Sequence, residues 1–320
     1  MPRPIVTRIL LATDFSDSAE RAQEYGQYLA ASFGVPLDIV HIVEVPPEAE
    51  DAGDERKPLA AVETDVRDRL TALREHLHGL PGAIHVGQAK GQPSGQIRRI
   101  VQETGADLLV MGLQGQGRRP YGLIGTTAER VTAEGPCPVL TVPLPQTEAA
   151  PCTLRESSKV EVQRVLAPID ESDPSLDALE YAMQFACGLD AGLVLLHVLE
   201  ESQDHRGGIS LDDEAGQRVH WDNRLAEFAS VGTALGLAVD QEVRTGLPSD
   251  SILAGALHHG CDLIVMGTHG RGARVRVPFG SVARAILRQA TCPALTVKSP
   301  KFVTGLRRQL PPVFRTFEPP

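Results

Sequence analysis

"RILLATDFSDSAERAQEYGQYLAASFGVPLDIVHIVE" (Arg8–Glu44) returns later in the chain as "RVLAPIDESDPSLDALEYAMQFACGLDAGLVLLHVLE" (Arg164–Glu200), so the sequence is duplicated. Laying one copy on the other puts Asp14 on Asp170 and His41 on His197, each pair 156 positions apart. Further along, "KGQPSGQIRRIVQETGADLLVMG" (Lys90–Gly112) matches "TGLPSDSILAGALHHGCDLIVMG" (Thr245–Gly267), now 155 positions apart. The slip in register must fall between His41 and Gly91, in the acidic, variable segments "PPEAEDAGDERK" and "ESQDHRGGISLDDEAG".

Each copy alternates short apolar runs rich in Val, Ile and Leu with stretches of helical period, the signature of βαβ units and a parallel sheet. In the first copy strands are expected near Arg8 to Thr13, Leu37 to Val43, Ala83 to Ala89, Asp107 to Gly112 and Val139 to Pro143, with helices between them. "DLLVM" and "DLIVM" are apolar at nearly every position, as in a strand covered on both faces. Ser16, ahead of "AERAQEYGQYLAA", reads as a helix N-cap. The expected fold class is therefore α/β, two repeated doubly wound parallel-sheet domains. The first covers residues 1–145 and the second 162–299, joined by a Pro-containing, aperiodic linker at 146–161 and followed by a Pro-rich, basic tail at 300–320.

Composition narrows the function classes. At 320 residues the chain suits two domains of about 150, each burying roughly 70% of its unfolded surface. A hydrophobic fraction of 42% with 22% charged residues is that of a globular protein, and a net charge of -10 argues against nucleic acid as the main partner. No apolar run approaches the roughly 18 residues of a membrane span, and Thr13 and Asp14 interrupt the first apolar run too early for a secretory leader. A cytoplasmic protein with no membrane partner is expected. The cysteines Cys137, Cys152, Cys187, Cys261 and Cys292 form no CxxC pair, so neither a disulfide framework nor a zinc site is indicated.

The strongest chemical signal is a glycine loop present in both copies. "GLQGQGRRPYGLIGT" (Gly112–Thr126) and "GTHGRGARVRVPFGS" (Gly267–Ser281) share the spacing Gly-x2-Gly-x9-Gly-Ser/Thr. Gly112, Gly115, Gly125 and Thr126 thus match Gly267, Gly270, Gly280 and Ser281. With glycine at about 7% of residues, three fixed glycines arise at a given start roughly once in 3000 tries. The loop runs from the carboxyl end of the fourth strand to the start of a helix, the place where open α/β sheets bind ligands. A phosphate there would meet free backbone N–H groups and the positive end of a helix dipole. Arg118, Arg119, Arg271, Arg274 and Arg276 add positive charge close by. The plainer alternative is that the glycines only end a strand and the arginines are solvated. No GxxxxGK[ST] occurs, and no GxGxxG follows the first strand.

Taken with the Asp at the end of the first strand, these motifs resemble the universal stress protein family, twice in one chain. "ATDFS" and "APIDES", "HIVE" and "HVLE", "DLLVMG" and "DLIVMG", the glycine loops, and "CPVLTV" and "CPALTV" stand in that family's order. The resemblance covers about Arg8 to Pro143 and Arg164 to Lys298. It implies five strands per domain in the order 3-2-1-4-5 and a site for an adenine nucleotide, ATP alone or with Mg2+. Asp14 and Asp170 would accept from the adenine amino group, and Ile42 and Val198 would contact the base through their backbone. Gly112 and Gly267 would neighbour the ribose, and Gly115, Gly125, Thr126 and Gly270, Gly280, Ser281 would hold the phosphates. His269 in "GTHG" follows the family's usual form where the first copy has Gln114, which favours the second site. The resemblance also implies pairing through the last strands, as a pseudo-dimer within the chain, and leaves a homodimer or protein partners as further associations.

Other residues carry less. Asp14 and Asp170 also suit a structural role in capping the next helix. His41 and His197 lie in apolar strands, where a hydrogen-bonded core histidine is the commoner case. Neither the adjacent His258 and His259 nor His76 and His78, two apart, face a common metal on a helix, and "DDE" at Asp212 reads as a solvated helix start. No nucleophile with a neighbouring base is recognisable. The expected function is nucleotide-dependent binding or signalling with at most slow hydrolysis; a genuine ATPase using the same pocket, or a nucleotide-free scaffold, remains the alternative.

Overall fold

The computed structural model describes residues 5–45, 59–77, 79–116, 123–144, 160–200, 211–270 and 279–298. The linker beyond Leu144, the tail, the loop arginines 118, 119, 271, 274 and 276, His78, Cys152 and the side chain of Asp212 lie outside the described residues.

In the first half β1 (Ile9–Ala12), β2 (Leu37–Glu44), β3 (Ile84–Ala89), β4 (Leu108–Gly112) and β5 (Val139–Val142) alternate with α1 (Asp17–Phe33), α2 (Leu59–His76), α3 (Ser94–Thr104) and α4 (Thr126–Glu134). All four strand pairings are parallel: β1 with β2 and β4, β2 with β3, and β4 with β5. The spatial order is thus 3-2-1-4-5, and the chain reverses its winding direction between β1 and β4. Ile9, Leu10, Leu11, Leu108, Leu109 and Val110 are all fully buried, the mark of strands covered on both faces.

The second half repeats this plan with β6 (Arg164–Pro168), α5 (Asp173–Leu189), β7 (Gly192–Leu199), α6 (Leu211–Ala234), β8 (Val239–Thr245), α7 (Pro248–His258), β9 (Leu263–Gly267), α8 (Ser281–Gln289) and β10 (Ala294–Val297). β6 pairs in parallel with β7 and β9, and β7 with β8. A less polar α5, equal in length to α1, closes this core, with Phe185 fully buried and Tyr181 stacked on it at 5.8 Å between ring centroids.

The turn from first strand to first helix is built identically in both halves. Phe15 and Glu171 hold φ of 59° and 58°, a left-handed conformation uncommon for such side chains. The following Ser16 and Ser172 are N-caps, their hydroxyls accepting from the Ala19 and Ser175 N–H groups at 3.3 Å. Replacing Ser16 or Ser172 by Ala is expected to cost about 1 kcal/mol in each case, measured as a fall in urea midpoint. An unchanged midpoint would mean that the strained turn is held by other groups.

Candidate functional site

Where the winding reverses, a cavity of about 550 Å³ opens beyond the carboxyl ends of β1 and β4. This is within the range of small-molecule sites. Asp14, His41, Ile42, Gly112, Gly115, Gly125 and Thr126 all line it. The first-half residues singled out in the sequence therefore come together from the ends of three strands and the start of one helix.

Asp14 stands at the tip of β1 with both carboxylate oxygens engaged. Oδ1 accepts from the Ser16 N–H at 3.0 Å and from the Ser16 hydroxyl at 2.5 Å, so it aims the N-cap serine. Oδ2 accepts from the Gln116 N–H at 3.1 Å, tying the glycine loop back to β1. Gln116 also donates its side-chain amide to the Asp14 carbonyl. A carboxylate offers about four acceptor positions, so capacity for a ligand donor remains. The structural and binding roles considered for this residue are compatible. Asp170 makes the same pair of bonds to Ser172, at 3.0 and 2.5 Å.

Ile42 owes its place to strand length. β1 ends against β2 with Ala12 opposite Val40, and the Thr13 N–H still reaches the Val40 carbonyl at 2.9 Å. Past that point β2 runs on alone beside β3. Backbone groups alternate sides along a strand, so those of Ile42 point, like those of Val40, toward the flank that β1 has vacated. In the second half β6 ends opposite Leu196, whose carbonyl accepts from the Ile169 N–H at 2.8 Å, and Val198 takes the equivalent position.

The glycines divide into two kinds. A methyl on Gly112 would lie 2.2 Å from the Ser18 Oγ and 2.8 and 2.9 Å from backbone atoms of Ser18 and Ala19, and one on Gly267 would lie 2.7 Å from the Pro174 carbonyl oxygen. These two let the first helix of each half lie directly against the fourth strand. Gly115 and Gly270 instead sit over the Asp14 and Asp170 carboxylates, where a Cβ would approach to 3.0 and 2.7 Å. Gly125 and Gly280 open α4 and α8: their N–H groups donate to the Leu113 and Thr268 carbonyls, both at 2.9 Å, and their carbonyls accept from Glu129 and Arg284. Thr126 and Ser281 are consequently the first helical residues. Gly125, the N-cap of α4, offers no side-chain hydrogen bond, and Thr126, Thr127 and Ala128 of the first turn, where helix N–H groups lack intrahelical partners, line the cavity.

The two strand histidines are anchored alike. The His41 Nδ1 lies 2.8 Å from the Thr13 carbonyl and the His197 Nδ1 2.6 Å from that of Ile169. His41 is half-buried on the cavity wall, while His197 is buried. Burial pushes the His41 imidazole below its ordinary 6.5, and the Thr13 carbonyl and the Asp14 charge oppose this only in part. The folded protein thus keeps His41 neutral in a window just below pH 6.5 where the unfolded chain is protonated, so this contribution is present above 6.5 and lost as pH falls through that window. On acidification from pH 7 to 5 the wild type is expected to lose more stability than His41→Gln. Parallel urea-midpoint curves for the two would show that His41 does not titrate differently on folding.

Several lining residues escaped the sequence reading because α2 supplies them. Val62, Asp65, Val66 and Arg69 close the cavity from the β2 side. The Arg69 guanidinium lies 3.8 Å from the centre of the Phe15 ring, which in turn lies 4.8 Å from that of His41. In the second half Arg224 reaches Glu171 instead. Burial works against the Arg224 charge, but the hydrogen bonds it donates to Glu171 and Glu227, with their negative charge, outweigh this and raise its pKa. A signal was available: Arg69 and Arg224 stand 155 positions apart, the offset of the second repeat block. His269 has its Nδ1 3.0 Å from the Thr268 Oγ1, whereas the Gln114 carbonyl accepts from Ser18 at 2.5 Å and its side chain from the Leu144 N–H at 3.3 Å. His259 is turned to Glu242, 2.9 Å away, and His76 to the Ala72 carbonyl, 2.6 Å away. Among the described residues no group of three His, Cys, Asp or Glu side chains could hold a metal ion, and no helix is long and apolar enough to cross a membrane.

Comparison with known proteins agrees with this anatomy. A universal stress protein of Methanocaldococcus jannaschii is 31% identical over 143 residues, which cover 43% of this chain and 84% of that protein. One from Mycolicibacterium smegmatis is 23% identical over 306 residues, 91% of this chain and 96% of its own length. Among solved structures, a universal stress protein from Archaeoglobus fulgidus matches with a TM-score of 0.65 at 20% identity, covering 91% of this chain and 96% of that one, a likeness of fold. The model of the Universal stress protein family matches residues 6–143 and again residues 161–298. The chain belongs to the universal stress protein family and carries its domain twice.

Proposed function

We propose that the chain binds an adenine nucleotide, ATP foremost, and works as a nucleotide-dependent binding or signalling module with at most slow hydrolysis. The observation that carries this reading is the first-half cavity, which has an acceptor carboxylate, Asp14, on one wall and the uncapped start of α4 on another. Those ends suit the two ends of a nucleotide. A base with an exocyclic amino group donates to Asp14 and meets the Ile42 backbone, while phosphates take the N–H groups and hydroxyls of Thr126 and Thr127. Gly115 and Gly125 leave the intervening backbone open to approach. Any Mg2+ would arrive on the phosphates, since it characteristically keeps waters and binds through substrate oxygens.

At most slow hydrolysis is part of the same reading. Asp14 is engaged as an acceptor by Ser16 and Gln116, which holds it for recognition and not for activating water.

The test is to denature the purified protein, remove it, and quantify released nucleotide by ion-exchange chromatography, then to titrate the emptied protein with MgATP by calorimetry. Bound adenine nucleotide or a saturable MgATP isotherm is the expected result. No released nucleotide and no binding heat would leave a scaffold as the better account.

A further inference from the structure

The two halves differ most where their clefts should be most alike. α2 and α6 correspond at an offset of 155: Leu70 and Leu225 are both fully buried, and Arg69 and Arg224 both reach the residue after the Asp of the first strand. The same offset sets Trp221 against Val66. Val66 lines the first-half cavity, as do His41 and Phe15, whose rings lie 4.8 Å apart and tilted by 30°. Trp221 instead lies flat on His197, with 3.4 Å between ring centroids and 11° between planes, and is itself only 6% exposed. Around it Arg224 is fixed by Glu171 and Glu227, so the helix that carries the indole is tied to the turn that carries Asp170.

We propose that Trp221 fills the base end of the second-half cleft, so that the chain has one nucleotide site, in its first half. This rests on the nucleotide reading above and reverses the preference that His269 gives to the second copy. An indole stacked on the strand histidine takes the flat space beside the Val198 backbone that a purine would need. In the first half valine stands at that place and lines the cavity together with Ile42. The second half then contributes to the protein by packing and surface, with its turn, N-cap and helix start kept intact.

The decisive experiment is MgATP calorimetry on the full-length chain, read together with the emission of Trp221, the single tryptophan. The expected stoichiometry is one per chain, with the affinity of that site falling about 10- to 100-fold in Asp14→Ala and Trp221 emission unchanged at saturation. Trp221→Val should raise the stoichiometry from one to two. Two equivalents in the wild type, or an emission change that tracks ATP binding in the wild type, would overturn the proposal while leaving nucleotide binding established. One equivalent in a folded Trp221→Val would overturn the role of the indole. No binding in the wild type would remove the nucleotide reading and this proposal with it. Should Trp221→Val fail to fold, the wild-type stoichiometry, the weakened affinity of Asp14→Ala and the emission readout still decide.

Discussion

Replacing Gly112 by Ala should lower stability by about 2–3 kcal/mol, the upper range for forcing one extra carbon into a packed site. The added methyl would stand 2.2 Å from the Ser18 Oγ and under 3 Å from two backbone atoms of α1. The hydroxyl cannot swing away without cost, because it donates to the Gln114 carbonyl at 2.5 Å. Relief therefore requires the helix to lift from β4, which loosens the buried contact of Ala19 and Ala22 with the sheet. Gly115→Ala is the matched control three residues on. Among the described residues its methyl would meet only the Asp14 Oδ2, at 3.0 Å, so its expected cost is below about 1 kcal/mol, with the larger effect on ligand affinity. Urea denaturation of the two variants separates them, and similar midpoints would show that the strand and helix yield more readily than their packing implies.

Asp14→Ala should weaken ATP binding about 10- to 100-fold, the loss of a hydrogen bond to a charged group. It should also cost about 1 kcal/mol of stability, since the carboxylate orients the N-cap Ser16 through two hydrogen bonds. Asp14→Asn separates recognition from scaffolding. A carboxylate is an acceptor only, so it favours a purine with an amino group and repels one with a keto oxygen; an amide serves both. The Asn variant should therefore keep most of the stability and narrow the preference for ATP over GTP, read by calorimetry with each nucleotide. A preference unchanged in Asp14→Asn would place the base elsewhere in the cavity.

Much of this protein is legible in the sequence because its determinants are local or repeated. Strands such as Leu108–Gly112 are apolar at nearly every position, and their burial on both faces follows directly. The N-cap Ser16 and the helix starts at Thr126 and Ser281 depend on neighbours within a few residues, so spacing alone located them. The duplication made each assignment twice. Other features depend on partners far apart in the chain. That Gly112 is needed for the contact with α1, as well as for the loop it begins, is decided by Ser18, almost a hundred residues earlier. Ile42 matters because β1 stops short of β2, a relation between strand lengths that no motif records. Arg69 and Val66 reach the cavity only because α2 packs across the end of the sheet. The sequence by itself determined two α/β repeats, their turns, and the residues that gather at the strand ends. Only the tertiary structure decided which side chains share a wall with them, because α2 and α6 share few residues at the repeat offset, and whether valine or tryptophan stands at the matched position changes the space enclosed without changing the fold.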